Sequence, residues 1–362
     1  MLLRRRFYST GGNSKIDTSK DYFNIQSIND NNNISFTNTI YYSINNGNWD
    51  TLLAGESVTI NNGDKIYFKA ELSPTSNGIG TFTISNWCNL SGNIMSLIYG
   101  DNFEEQTNLT GKNYTFRYLF ENCDSICNAK ELVLPATTLA SYCYSDMFYG
   151  CTSLISTPEL PAIILTERCY QYMFEECTSL ETAPELPATT LAYYCYCGMF
   201  GNCMSLKTAP ELPATALANN CYNYMFAGCN NLIIAPKLPA NTLADYCYYG
   251  MFQGCSSLEI APELPATILA AYCYRNMFEN CNSLTIAPEL PARELNSYCY
   301  SYMFRNCTKL ASVPELPAVI LKPYCYNYMF AGCKNIKQSG ELPARILVNY
   351  CYQHMFNGCN SL

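Results

Sequence analysis

Cysteine recurs in this chain at a fixed interval, and thiols so spaced could ligate zinc, close disulfides or simply pack. Nineteen of the 22 cysteines fall in two columns. One runs through Cys143, Cys169, Cys195, Cys221, Cys247 and Cys273 to Cys351; the other runs from Cys123 through Cys151, Cys177, Cys203 and Cys229 to Cys359. A zinc site needs paired ligands, and the chain has no CxxC pair and a single histidine, His354. Cys195 and Cys197 form a lone CxC, which is weak in so cysteine-rich a repeat. No metal and no cofactor are therefore expected. Cysteines such as Cys143 and Cys151 could still meet in a disulfide within one repeat. Equivalent cysteines of stacked neighbours would hold their Cβ atoms ~4.8 Å apart, outside the ~3.5–4.5 Å a disulfide prefers. The expectation is a pair of buried, reduced thiol columns acting as small hydrophobes.

Two further columns carry binding chemistry. Glu185, Glu211, Glu263 and Glu289 share one repeat position with Glu159, Glu315 and Glu341, interrupted by Lys237. Carboxylates ~5 Å apart repel by roughly 0.8 kcal/mol even in water. The stripe would thus coordinate a cation, accept hydrogen bonds from sugar hydroxyls, or simply be a solvated edge. Tyr172, Tyr224, Tyr302 and Tyr328 share a variable position, which Asp146, Gly198, Asn276 and His354 occupy elsewhere. Tyrosine gives a large contact area at low entropy cost, so these four are candidate ligand contacts; the alternative is that they shield the stack. Catalytic residues are not expected: no GxSxG, Walker, HExxH or EF-hand pattern occurs, and repetition argues against one asymmetric constellation.

Composition narrows the classes. Of 362 residues, 49% are hydrophobic and only 14% charged, with a net charge of −8. That balance argues against nucleic-acid binding, which needs Lys and Arg against phosphates. No apolar run approaches the ~20 residues of a membrane span. The N-terminal MLLRRRFYSTGGNSK has basic residues but no apolar segment after them, so it does not read as a signal peptide. Synthesis and folding in a reducing cytoplasm are expected.

The elements that must position these columns come in four parts. Residues 1–20 read as a basic flexible arm in which Arg4, Arg5, Arg6, Phe7 and Tyr8 would anchor the chain in an acidic groove, or form a plain tail. Residues 21–92 alternate in short segments (YFNIQSI, NISFTN, TIYYSI, KIYFKAEL) separated by NNGN, NNGD and TSNG turns. About seven antiparallel strands and a small β-sandwich are expected. Residues 93–122 read as a capping segment, and 123–362 as an array of 26-residue units, with Met-Phe at 147, 173, 199 and so on to 355. Within a unit, Ala192, Cys195, Tyr196, Met199, Phe200 and Cys203 follow helical spacing. Each repeat is therefore expected to be a short strand (SLETA), a Pro-Glu-Leu-Pro corner and a helix of about three turns, with Phe226 and Phe252 facing inward. One such unit cannot bury its apolar side alone, so the units must stack. The fold class is mixed β and α/β: a small sandwich followed by a solenoid of short parallel strands and short helices. About ten coils would make a rod on the order of 50 Å.

The phrases MFEECTSL, MFGNCMSL and MFQGCSSL resemble the core of the BspA-like leucine-rich repeats of surface proteins in Bacteroidales, Mycoplasma and some protists. The longer unit, with its ELPATTLAYYCY insertion, resembles the variant of gut Bacteroides proteins and their phages. The resemblance implies a right-handed leucine-rich-repeat solenoid used for adhesion or recognition rather than catalysis. Cell-surface members of that family carry an export signal that this leader lacks, so the expected place is a virion surface, with a bacterial cell surface as the alternative. The expected partners are virion structural proteins at the arm and a host-surface glycan or protein at the solenoid, together with further copies in a homo-oligomer; the alternatives are a purely structural capsid- or tail-decorating role and a bacterial surface adhesin. The array reaches Leu362 without a polar cap, so either the natural chain runs on or this end packs on another subunit.

Overall fold

The computed structural model describes residues 18–362, so the anchor residues Arg4, Arg5, Arg6, Phe7 and Tyr8 lie outside the described part. Alternation and Asn-rich turns build the first hundred residues. Strands β1 (Asn24–Ser27), β2 (Asn32–Phe36), β3 (Ile40–Ile44), β4 (Asp50–Leu52), β5 (Ser57–Ile60), β6 (Lys65–Lys69), β7 (Phe82–Ile84) and β8 (Cys88–Asn93) follow one another. Asn45 and Asn46 take φ of 51° and 59°, the left-handed pair that a tight hairpin needs between β3 and β4.

These strands form two sheets. The three-stranded one has the order β5-β2-β7; the six-stranded one has the order β4-β3-β6-β1-β8-β9, where β9 is Ile126–Val133. All pairs are antiparallel except β8 with β9. That parallel pair joins the sheets to the repeats, because β9 belongs to the first repeat. Phe82 packs on Phe36 at 4.4 Å and Phe68 at 5.1 Å, and at 5.7 Å on Phe120, which in turn stacks on Phe148 of the repeats. Sheets and repeats thus share one apolar core.

The expected helices are absent. Among the described residues the only α-helix is the single turn α1 (Ser96–Tyr99). The stretch Ala192–Cys203 is a train of turns instead. Cys195, Cys197, Met199, Gly201 and Cys203 each donate their N–H three residues back, while Tyr194, Tyr196, Gly198, Phe200 and Asn202 donate to carbonyls of the next repeat at 2.7–3.3 Å. Every fourth residue must then turn left-handed: Tyr194, Gly198 and Asn202 have φ of 55°, 60° and 57°. The same alternation recurs in the repeats before and after. Turn train and helix share an inward pattern for a geometric reason. A four-residue turn period sends the pairs Cys195–Tyr196 and Met199–Phe200 inward just as a 3.6-residue helix would.

The expected short strands also shrink. Beyond β9, parallel pairing of successive repeats is confined to isolated bridges such as Thr182↔Thr208, Ile164↔Thr190 and Ile234↔Ile260. The proline of each corner has no N–H to continue the ladder. The result is a β-rich, turn-rich leucine-rich-repeat-type fold with very little helix.

Candidate interaction faces of the repeat array

Hydrogen bonding between repeats aligns equivalent side chains, so each repeat position becomes a column. The first cysteine column (Cys143, Cys169, Cys195, Cys221, Cys247, Cys273) and the second (Cys151, Cys177, Cys203, Cys229) are fully buried. Cys177, Cys203 and Cys229 donate their Sγ–H to the carbonyls of Phe148, Phe174 and Phe200 at 3.1–3.2 Å. Burial pushes the thiols of Cys143, Cys247 and Cys255 up to about 12. Such thiols are poor nucleophiles and poor ligands. No cluster with metal-ligand composition occurs among the described residues. Denaturation without reductant should release nearly all 22 cysteines to a thiol reagent; release of half or fewer would show that disulfides hold the columns.

Behind the cysteines runs a column of buried tyrosines. Tyr196, Tyr222, Tyr248 and Tyr274 stack face to face with centroids 5.7–5.9 Å apart. The hydroxyls of Tyr144, Tyr170, Tyr222, Tyr248 and Tyr300 are buried without a protein partner. An unpaired buried hydroxyl costs about 1–3 kcal/mol, whereas the ring itself packs well. Tyr248→Phe should therefore stabilise the chain by about 1 kcal/mol in urea denaturation. A comparable loss would mean that the hydroxyl is bonded after all.

The four candidate tyrosines are not gathered into one patch. Tyr302 stacks on Tyr328 at 5.0 Å, but Tyr224 meets Tyr249 edge-on at 5.1 Å, and Tyr172 sits against Cys197. Each is half-buried, with φ of 52–59°. Tyr172 and Tyr224 lie on Gly198 and Gly250 of the following repeat, where an added Cβ would come within 2.3 and 2.4 Å of the rings. The tyrosine face is thus mostly occupied with its own packing. Near its start, Glu175 is half-buried beside Glu176 and Asp146. Desolvation first, then those two charges, raises it from 4.5 to about 7. A carboxyl whose folded pKa is raised favours folding most while protonated. Stability should therefore fall as pH rises from 4.5 through about 7. Glu175→Gln should flatten that fall in melting temperature; an unchanged slope would remove Glu175 as its source.

The glutamates stand elsewhere. Glu185, Glu211, Glu263 and Glu289 are exposed at the Pro-Glu-Leu-Pro corners, each followed by a buried leucine. Successive corners do not close on one another. Pro184, Glu185 and Pro187 with Pro210, Glu211 and Pro213 line a cleft of about 380 Å3. The same positions one repeat earlier line a cleft of about 560 Å3, and those around Glu315 and Glu341 one of about 390 Å3. None of the four tyrosines borders these clefts.

What sequence reasoning missed lies beside the corners. Ile163, Ile164, Ile234, Ile260, Ile268 and Ile286 are 56–72% exposed. With Ile155, Ile233, Val319, Ile320 and Ile346 they are the exposed isoleucines and valines of the array, and all occupy just four repeat positions flanking the corner. The signal was present as β-branched residues outside the inward set, next to prolines.

A β-rich stack whose leucines, cysteines and phenylalanines point inward at a constant period defines a leucine-rich-repeat protein. The family model of the BspA type leucine rich repeat region matches in six copies, over residues 102–233, 193–311 and 223–362. The chain belongs to that family. Comparison with curated proteins and with solved structures gave no match. Repeats of this type suggest a protein-interaction or adhesion-type surface protein. No helix among the described residues is long and apolar enough to cross a membrane.

Proposed function

We propose that this chain is a non-enzymatic recognition and adhesion protein that docks a host-surface protein on its Pro-Glu-Leu-Pro face. One observation carries the reading: exposed isoleucine and valine in the array are confined to the four positions beside the corner. Leaving apolar surface in water costs about 25 cal/mol per Å2, and contiguous exposed apolar surface marks interaction sites. The corner clefts add shape, and the exposed carboxylates add charge. Stacked as a solenoid, the repeats would present this face as one continuous strip. The setting we propose is a phage virion surface, with the N-terminal arm held by virion structural proteins and the repeats projecting outward. The resemblance to repeats of gut Bacteroides phages supports it.

The test uses purified full-length chain on host cells. Replacing Ile163, Ile164, Ile234, Ile260 and Ile268 together by serine should weaken cell binding about tenfold or more, with the melting temperature little changed. If the set Tyr172→Ser, Tyr224→Ser, Tyr302→Ser and Tyr328→Ser abolishes binding while the isoleucine set does not, the tyrosine side is the interface and the reading fails.

A further inference from the structure

The N-terminal sheets hold a cleft that the repeats do not share. It opens at β4, the edge strand of the six-stranded sheet, and has a volume of about 690 Å3. Tyr41 of β3 is 53% exposed on it, and Trp49, just before β4, is 36% exposed. Asp50, Glu71 and Asp101 supply carboxylates, and Lys69 one ammonium.

These groups are held in place. Tyr22 Oη donates to Asp101 Oδ1 at 2.7 Å, and Lys69 Nζ donates to the same oxygen at 2.7 Å. Lys69 Nζ also lies 4.4 Å from the Trp49 ring centroid, and Tyr22 meets Trp49 edge-on at 5.0 Å. Asp50 Oδ1 accepts the Thr51 N–H at 2.7 Å. Gly100, with φ +52°, allows Glu71 to approach: a Cβ there would lie 3.3 Å from Glu71 Cγ and Oε1. The indole and one carboxylate are therefore fixed before any ligand arrives, which lowers the cost of binding.

We infer that this cleft is a binding site for a neutral saccharide. A sugar ring has an apolar C–H face and a rim of hydroxyls. Tyr41, and the part of the Trp49 indole that Lys69 and Tyr22 leave uncovered, offer aromatic surface to the first. Asp101, Glu71 and Asp50 accept charge-assisted hydrogen bonds from the second, and the Lys69 ammonium can donate to a ring oxygen. Three carboxylates against one ammonium disfavour an acidic sugar. Glycan contact through this cleft is independent of protein docking on the corner face.

Trp87→Phe leaves Trp49 as the one tryptophan, since the chain has 2. In that background, full-length chain is titrated with cellotetraose, mannotriose and chitotriose, and with a trimer of galacturonic acid. A saturable change in Trp49 emission is expected with at least one neutral oligosaccharide and not with the acidic trimer. Affinity should fall about tenfold or more in both Glu71→Gln and Asp101→Asn. Calorimetry on Trp49→Ala should show no binding. The corner-face isoleucine variant should bind the sugar normally. The inference is overturned if no neutral probe saturates by about 10 mM, if the acidic trimer binds as well, or if both carboxylate variants bind unchanged.

Discussion

Phe226→Ala will destabilise the folded chain by about 3–5 kcal/mol, the range for emptying a buried aromatic site. The Phe226 ring has no exposed surface and lies 5.6 Å from Phe200 and 5.7 Å from Phe252, parallel to both. Its removal leaves a gap that neither neighbour can close, because each is fixed by its own stacking and by a backbone bond to the next repeat. Phe226 itself donates its N–H to Met251 at 2.9 Å. Phe226→Leu keeps most of the volume and should cost less than about 1.5 kcal/mol. Urea denaturation followed by far-ultraviolet dichroism measures both. A loss below about 1 kcal/mol for the alanine variant would mean that the inward face is assigned to the wrong residues.

Gly228→Val should cost about 1–3 kcal/mol through backbone conformation alone. Gly228 has φ +74°, a region closed to β-branched residues, and a Cβ there would lie 2.3 Å from Asn202 Oδ1. The clash comes on top of the backbone term. Gly254 supplies the control. It has φ +76°, but an added Cβ would meet only Gly228 atoms at 3.8 Å. Asparagine already holds this position at Asn202, Asn280 and Asn306, with φ of 57–64°. Gly254→Asn should therefore cost less than about 1 kcal/mol. Equal losses for the two variants would refute the left-handed turn as the element on which the repeat is built.

The 26-residue period and the inward set could be read directly, because stacking makes every repeat bury the same positions. Helix and turn train could not be separated by periodicity, since both send the same cysteine–tyrosine and methionine–phenylalanine pairs inward. Glycine and asparagine at the Gly150, Asn202 and Gly228 position, with Asp146, Gly198 and Asn276 at the Tyr172 position, were the available hint of left-handed backbone. The tyrosines that fill most copies of the third left-handed position gave none; Tyr246 and Tyr272 bear that conformation while stacking at 4.4 Å. Strand β8, Cys88–Asn93, was illegible as CNLSGN because asparagine and glycine are poor strand formers, yet it pairs on both sides. The binding columns divided similarly. The Glu185 and Glu211 position was readable as exposed, but the isoleucines beside it follow neither the inward spacing nor a charge pattern, so only the turns show them to be outside.

Thiol protection on host cells tests the central claim most directly. The native cysteines of both columns are buried and only Cys127 is partly exposed, so in a Cys127→Ser background a surface cysteine introduced at one position is the main site of maleimide labelling. Ile164→Cys and Ile268→Cys place it on the corner face, and Ala227→Cys on the turn side. If the corner face docks the host, cell-bound chain will lose labelling at the two isoleucine positions and keep it at Ala227→Cys. Full labelling of Ile164→Cys and Ile268→Cys on bound chain, with Ala227→Cys protected, would contradict the account.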